Sequence, residues 1–186
     1  MPTELSPAPV KVVVAGGFGV GKTTFVGAVS EIEPLNTEAI MTAASLGIDD
    51  TGGVETKTTT TVAFDFGRRT VDDIPLYVFG TPGQERFWFM WDAMIRGALG
   101  AVVLADTRRL DDCFPSIDFF EARNAPYIVA VNRFDGAPAY SSSDLRAAID
   151  LPTHVPLLQL DARESGSSTL ALIKLLEYRL APPVTA

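Results

Sequence analysis

Runs of apolar residues alternate with segments of helical spacing along most of the chain. The β-branched run Val10–Ala15 is bounded by glycines on its carboxyl side and predicts a buried strand. Further strands are predicted at residues 58–66, 74–79, 99–105, 127–131 and 157–160. Helices are predicted at residues 23–32, 86–96, 116–123, 143–149 and 168–180. The polar segment 33–57 has weak periodicity and is predicted to be a long loop with one short helix near 37–44.

This order of elements predicts an α/β fold with three layers, in which helices cover both faces of a mainly parallel sheet. The sheet is expected to be mixed and six-stranded, because the hairpin within residues 58–79 supplies one antiparallel edge strand. Residues 1–9 contain three prolines and are predicted to form an extended N-terminal tail. Residues 10–181 then form a single domain, and residues 182–186 a short C-terminal tail.

Composition narrows the classes of partner. The 186 residues carry 15 Lys and Arg against 23 Asp and Glu, a formal net charge of −8, which weighs against nucleic acid and anionic lipid as partners. The single cysteine, Cys113, excludes an internal disulfide and fits a reducing compartment. We see no signal peptide, no apolar run of roughly 18 residues and no lipidation motif. The expectation is a cytoplasmic protein without a membrane anchor of its own.

A phosphate-binding motif follows the first strand directly. The segment GGFGVGKT matches G-x-x-x-x-G-K-[ST] and leads into the first helix. Glycines let backbone N–H groups turn inward around phosphates, and the helix N-terminus adds partial positive charge. Lys22 can reach the β- and γ-phosphates, and the Thr23 hydroxyl can bind Mg²⁺. The predicted phosphate-binding residues are Gly16, Gly17, Phe18, Gly19, Val20, Gly21, Lys22, Thr23 and Thr24.

A second motif, NRFD, follows the strand at 127–131 and points to the base. The Asp135 carboxylate can accept hydrogen bonds from N1–H and the 2-amino group of guanine, whereas adenine has an acceptor at N1 and would leave it unpaired. Asn132 would contact the base and brace the phosphate loop. On its own the motif also fits an Asx-rich turn. Backbone N–H groups after the last strand suit guanine O6, so the base-binding residues are Asn132, Arg133, Asp135, Ala162 and Arg163.

Taken in order, GGFGVGKT, a threonine entering the second strand, GQERF, NRFD and DAR resemble the Ras-like small GTPases over nearly the whole chain. The stretches TTVAFDFG and FGTPGQERFWFMW resemble more narrowly the bacterial MglA-type GTPases and the small GTPase of actinobacterial conservon operons. The resemblance implies a Ras-like G domain that binds GTP or GDP with Mg²⁺ and acts as a slow GTPase and molecular switch. It also implies a roadblock-type regulator and a sensor-kinase-like protein as partners, and a monomer or weak dimer recruited to membranes by a partner.

The resemblance carries over to individual residues. Thr61 would bind Mg²⁺ and sense the γ-phosphate, although Thr58, Thr59 and Thr60 leave the register open. The Gly83 N–H would bind the γ-phosphate, and Gln84 would orient the attacking water. The implied catalytic residues are Gln84, Lys22 and Thr61, and the implied metal ligands are Thr23 and Thr61.

Two positions depart from the family pattern. Gly80 stands where the family usually has a Mg²⁺-binding aspartate, and MglA-type proteins resemble this chain in lacking that aspartate. Asp106 either substitutes for it or caps the next turn. Arg133 replaces the usual lysine. No arginine adjoins Thr61, so intrinsic hydrolysis is expected to be slow, and an alternative function is a nucleotide-stabilised interaction module with little turnover. A P-loop kinase for a small acceptor would need an arginine-rich lid, which the sequence lacks.

Five consecutive apolar residues, Phe87 to Trp91, follow the GQERF motif. One helix face cannot bury them all. One side belongs in the core, and the other is either an exposed partner surface or packs under the loop at 33–57.

Overall fold

The computed structural model describes residues 7–41, 60–83 and 89–180, and for residues 36–41 and 60–63 it describes the backbone alone. The strands in this part are β1 (Val10–Ala15), β2 (Leu35–Met41), β3 (Thr60–Val71), β4 (Ile74–Gly80), β5 (Ala98–Asp106), β6 (Tyr127–Asn132) and β7 (Leu157–Leu160). The helices are α1 (Lys22–Val29), α2 (Trp91–Ile95), α3 (Phe114–Glu121), α4 (Ser142–Ile149) and α5 (Ser165–Leu180). A short 3₁₀ helix, Leu110–Cys113, leads into α3.

The described strands form one sheet in the order β2-β3-β4-β1-β5-β6-β7. β3 runs antiparallel to both of its neighbours, and the pairs from β4 to β7 are parallel. The predicted α/β class with a mixed sheet and helices on both faces is confirmed. All six predicted strands are present, and a seventh, β2, adds to the edge of the sheet.

The prediction for the segment after α1 was wrong over residues 35–41, where β2 replaces the expected loop and helix. β2 pairs along its length with β3, from Leu35 opposite Phe66 to Met41 opposite Thr60. An edge strand can form without a continuous apolar face, because backbone hydrogen bonds hold it to its neighbour. Here they satisfy N–H and C=O groups of β3 that would otherwise have no partner strand. The antiparallel strand β3 consequently lies one position inside the edge. Residues 42–44 lie outside the described residues.

The hairpin between β3 and β4 turns more tightly than predicted. Asp72 and Asp73 have φ values of 47° and 63°, as a two-residue turn of the I′ type requires. β3 therefore extends to Val71, and Arg68 and Arg69, which lie beyond the predicted strand at 58–66, are strand residues. The hairpin carries β4 back beside β1, with Val14 opposite Gly80.

Alternation along β1 shows how the core divides into two layers. Val12 and Val14 pack on one face with α1 and α5, while Val13 and Ala15 pack on the other face with α2, α3 and α4. Side chains of a strand point alternately to opposite faces, so an unbroken apolar run serves both layers. The sheet is thereby held rigidly beneath the loops at its edge.

The aromatic segment before α2 divides between core and surface. The Trp91 side chain is buried against Phe119 and Phe120, whereas the Phe89 side chain is 48% exposed. Phe87 and Trp88 lie outside the described residues. Most residues of the two predicted tails also lie outside them, so the domain limits at 10 and 181 stay predictions.

Candidate functional site

The carboxyl ends of the parallel strands meet at one edge of the sheet. Asp106 at the end of β5 lies opposite Asn132 at the end of β6, which in turn lies opposite Leu160 at the end of β7. Ala15 ends β1 beside β5. The loops that follow these strands therefore begin side by side, where α/β proteins bind ligands. These loops contain most of the residues singled out from the sequence.

The loop between β1 and α1 turns through three glycines with positive φ: 137° at Gly16, 72° at Gly19 and 105° at Gly21. At Gly21 a Cβ would also lie 2.7 Å from Asn132 Nδ2, so both the backbone and the neighbouring amide require glycine there. α1 begins at the next residue, Lys22. The open N–H groups of its first turn therefore face the loop and make it attractive to anions.

The Lys22 side chain lies inside this loop. It is 8% exposed, and its Nζ donates hydrogen bonds to the carbonyl oxygens of Gly16 at 2.8 Å and Gly17 at 2.7 Å. Burial lowers the pKa of Lys22 to about 8, and the negative charge of Asp65 acts in the opposite direction. An ammonium group is thus held at the loop by neutral carbonyl partners, which an anionic ligand could replace.

A cleft of about 370 Å³ opens beside Lys22, and we call it the phosphate cleft. It is lined by Phe18, Gly19, Gly21, Lys22, Thr23, Thr24, Asp65, Thr81, Pro82 and Gly83. At Gly83 a Cβ would lie 2.7 Å from Lys22 Nζ, so this residue approaches the ammonium closely. The structure therefore brings Gly83 together with the phosphate loop, as the sequence predicted. Val20 is buried below the loop instead of lining the cleft.

Sequence reasoning missed three residues of this cleft, Thr81, Pro82 and its acidic residue, Asp65. The Thr23 Oγ1 hydroxyl donates a hydrogen bond of 2.7 Å to Asp65 Oδ2. Asp65 lies on β3 directly opposite Gly80 on β4. The available signal was a single carboxylate in the otherwise apolar run VAFDF, with a glycine in the partner strand. The pairing register that joins the two was not available from the sequence.

Asp106, the substitute considered for the missing aspartate, is occupied elsewhere. Both of its oxygens accept hydrogen bonds from the Arg108 side chain, at 2.8 to 3.2 Å, and Oδ1 also accepts the Arg108 backbone N–H at 2.9 Å. These bonds hold the pKa of Asp106 below its usual value. The alternative that Asp106 caps the next turn is therefore the correct one. Arg108 in turn lies 3.8 Å from the ring centre of Phe134.

The phosphate cleft suits a small divalent cation such as Mg²⁺. It presents the Thr23 hydroxyl and the Asp65 carboxylate, and hard oxygen donors of this kind are what Mg²⁺ prefers. The Thr81 hydroxyl, in the same cleft, is buried and has no hydrogen-bond partner in the described part of the protein. Within that part there is no cluster of three or more acidic, His or Cys side chains.

A buried amide joins the phosphate loop to the loops after β6 and β7. Asn132 is 4% exposed; its Nδ2 donates to the Val20 carbonyl at 3.0 Å, and its Oδ1 accepts the Ala162 N–H at 2.9 Å. The brace expected from the sequence is therefore present. The Ala162 N–H, one of the backbone N–H groups after the last strand that were considered for guanine O6, is used by this brace.

A second cleft of about 320 Å³, the base cleft, adjoins the first and shares Gly21 and Thr24 with it. It is lined by Gly21, Thr24, Arg108, Asn132, Arg133, Phe134, Asp135, Asp161, Ala162 and Arg163. All five residues predicted to bind the base are therefore brought together. The two clefts adjoin as one groove, with the Lys22 ammonium in one part and the aromatic and polar residues of the base cleft in the other.

The Asp135 carboxylate is paired within the protein. The Arg163 guanidinium donates to both of its oxygens, at 2.8 and 3.0 Å, and also binds Asp161. Hydrogen bonds from Arg163 lower the pKa of Asp135 and lower the pKa of Asp161 to about 2. Asp135, whose side chain is 84% exposed, is thus an anionic acceptor at neutral pH.

The structure does not describe the side chains of the two residues implied in water positioning and γ-phosphate sensing, Gln84 and Thr61. Gln84 lies outside the described residues, together with Thr58 and Thr59. The backbone of Thr61 belongs to β3, opposite Ile40 of β2, but its side chain is not among those described. Their roles stay predictions.

Comparison with known proteins agrees with this geometry. Residues 14–182 match the family described as "Conserved hypothetical ATP binding protein". The chain belongs to this family. A curated relative is the uncharacterized protein MJ1339 of Methanocaldococcus jannaschii, which is 36% identical over 128 residues, covering 68% of this chain and 71% of the relative. Every residue that lines the two clefts lies within the range that matches this family.

Solved structures show the fold of this family member. The cytosolic domain of the T. maritima FeoB iron transporter in a GDP form has a TM-score of 0.69 and 16% identity, over 94% of this chain. The chain spans 65% of that domain's length. The G domain of the same transporter has a TM-score of 0.65 and 18% identity, over 92% of this chain and 99% of the G domain. The fold is therefore that of a P-loop G domain. Among the described residues, no helix is long and apolar enough to cross a bilayer.

Proposed function

We propose that this protein is a guanine-nucleotide-binding molecular switch that binds GTP with Mg²⁺ and hydrolyses it slowly to GDP. The observation that carries the proposal is the Asn132 brace, which holds the phosphate loop against the loop bearing Asp135. It sets an ammonium at one end of the groove and a carboxylate at the other. A nucleotide has the complementary arrangement, with phosphates at one end and base donors at the other.

The choice of base follows from Asp135. Guanine presents two adjacent donors, N1–H and the 2-amino group, to one carboxylate, whereas adenine presents an acceptor at N1. Beside adenine the Asp135 carboxylate would face the N1 lone pair instead of two donors, and mismatches of this kind can reach about 10⁴–10⁵ in discrimination. The family description names ATP, and the FeoB structures include GDP forms. The chemistry of this chain favours guanine.

The base choice is tested by binding of labelled GDP, GTP and ATP, each with and without Mg²⁺. We expect GDP and GTP to displace one another and ATP to compete weakly. The matched variant Asp135→Asn should move the preference toward xanthine nucleotides, because an amide can donate to a 2-oxo group. Equal competition by ATP and GTP in the wild type would refute guanine specificity.

For the phosphate end, Mg²⁺ would be held by Thr23 and, by resemblance, by Thr61; when bound, it neutralises charge on the phosphates. Lys22 would exchange its two carbonyl partners for phosphate oxygens. The Gly83 N–H would bind the γ-phosphate, and Gln84 would orient the attacking water. Without an arginine beside Thr61 the intrinsic rate should be low, and a partner would accelerate it.

The alternative is a nucleotide-stabilised interaction module with little turnover, which the absent arginine and Gly80 both favour. Phosphate release separates the two proposals. It is measured for the wild type and Gln84→Leu, with and without a roadblock-type partner. A clear loss of release in Gln84→Leu supports the GTPase, and equal rates in both proteins support the module.

By resemblance, the chain would belong to the MglA-type or conservon branch, act in the cytoplasm and reach membranes through a partner. A roadblock-type regulator and a sensor-kinase-like protein are the partners implied. The half-exposed Phe89, next to the segment that would sense the nucleotide, is a reasonable contact for them. Pull-downs with the protein held in GDP and GTP-analogue states test this. Equal recovery of a partner in both states would argue against a switch.

A further inference from the structure

Gly80 removes a carboxylate that a Mg²⁺-nucleotide site is expected to have, and the structure shows what lies in its place. Gly80 and Asp65 are directly paired across β4 and β3. A Cβ at Gly80 would lie 3.1 Å from Asp65 Oδ2 and 3.3 Å from Asp65 Cβ. The space that a side chain at position 80 would enter is therefore occupied by the carboxyl group of Asp65.

Asp65 also has the contacts expected of a group that serves the metal. It accepts the 2.7 Å hydrogen bond from Thr23 Oγ1, the hydroxyl that the phosphate-loop motif assigns to Mg²⁺. Asp65 is the one acidic side chain that lines the phosphate cleft in the described part of the chain. The other candidate, Asp106, has both oxygens bound by Arg108 and lines neither cleft.

A second observation points to a ligand at the same place. The Thr81 hydroxyl follows β4 directly, is 3% exposed and lines the phosphate cleft without a hydrogen-bond partner among the described residues. A buried hydroxyl without a partner costs free energy unless a ligand or water satisfies it. Phosphate oxygens or the water shell of a cation in this cleft would do so.

We propose that Asp65 supplies the carboxylate of the Mg²⁺ site that Gly80 lacks, so that this function has moved across one strand pair. The glycine and the aspartate form one unit, because the glycine makes the room that the aspartate uses. This inference rests on the proposed nucleotide site and identifies which residue of this chain recognises its cation.

The test measures dissociation of a fluorescent GDP analogue as the Mg²⁺ concentration is varied, with EDTA as the zero point. In the wild type, Mg²⁺ should slow dissociation. Asp65→Asn, which keeps the shape and an acceptor for Thr23, should require at least about tenfold more Mg²⁺ for half of that effect. Its dissociation rate in EDTA should stay within about threefold of the wild type.

The matched control is Asp112→Asn, which removes a half-exposed carboxylate that lies beside the phosphate loop but does not line the phosphate cleft; a Cβ at Gly17 would lie 2.7 Å from Asp112 Cβ. It should leave the Mg²⁺ midpoint unchanged. Equal Mg²⁺ midpoints for wild type and Asp65→Asn would overturn the assignment. An equal shift in both variants would also overturn it, since this would show a general effect of charge.

The double variant Asp65→Gly, Gly80→Asp exchanges the two residues across the strand pair. It should recover most of the Mg²⁺ effect, whereas Gly80→Asp alone should fold poorly because two carboxylates would share one space. A folded double variant with no Mg²⁺ effect would overturn the claim that the function has moved across the strand pair, because a carboxylate at position 80 would then fail to replace Asp65. If the wild type binds adenine and not guanine nucleotides, the proposed base choice fails, and the same titration with an ADP analogue still decides the role of Asp65.

Discussion

Asn132 offers a stability test that needs no nucleotide. Asn132→Ala removes both bonds of the brace and leaves the Val20 carbonyl and the Ala162 N–H without partners in a buried position. Each unsatisfied buried group costs about 1–3 kcal/mol, so the sum is about 2–6 kcal/mol. Water entering the space from the adjoining base cleft would recover part of this, and we expect a loss of about 2–4 kcal/mol in the free energy of unfolding.

The assay is denaturant unfolding of nucleotide-free protein, followed by circular dichroism. Gln159→Ala is the matched control, because Gln159 also uses an amide to bond a neighbouring loop, through Tyr140 O at 3.1 Å, but in an exposed position. It should cost no more than about 0.5 kcal/mol. If both variants lose the same small amount, the Asn132 bridge does not hold the loops together, and the geometric basis of the nucleotide site is wrong.

Three further predictions follow from single contacts. Arg163→Ala frees the Asp135 carboxylate and should speed GDP association by less than about fivefold, since the pair is exposed; slower association in stopped-flow would contradict this. Gly21→Ala forces a side chain onto a φ of 105° and into a buried amide, so nucleotide binding by calorimetry should be lost; retained binding would mean a different loop conformation. Between pH 8 and 10.5 the unfolded chain binds more protons at Lys22 than the folded protein, whose Lys22 pKa is lowered to about 8, so stability from this group rises with pH. Cys113, with its pKa raised to about 12, acts in the opposite direction above pH 9, and this effect cancels when the wild type is compared with Lys22→Met. Relative to the variant, the free energy of unfolding of the wild type should rise by up to about 3 kcal/mol between pH 8 and 10.5. Parallel plots of stability against pH for the two proteins would show that Lys22 is not buried as described.

The parts of the fold and site that the sequence predicted well depend on neighbours along the chain. Val10–Ala15 and Leu157–Leu160 were predicted to the residue, because a short and mainly apolar run between turn signals predicts a strand. The phosphate loop was found for a similar reason, since its glycines, lysine and threonine act within eight consecutive residues. The NRFD motif was placed correctly at the sheet edge because it directly follows a buried strand.

The errors share a different cause. β2 has little apolar pattern of its own and is a strand because β3 presents an open edge to it. The pairing of Asp135 with Arg163 joins residues 28 positions apart, and nothing local to either one specifies it.

By itself, then, the sequence determined a P-loop α/β protein with a phosphate loop and a carboxylate suited to guanine, because dihedral preference, periodicity and motif spacing are local properties. The tertiary structure alone decided which carboxylate faces Thr23. Asp65 and Gly80 are 15 positions apart and meet through the register of a hairpin, which is set by the turn at Asp72 and Asp73 and by the burial of one face. A register shift of one residue would turn Asp65 to the opposite face of the sheet, so this part of the site exists only in the folded chain.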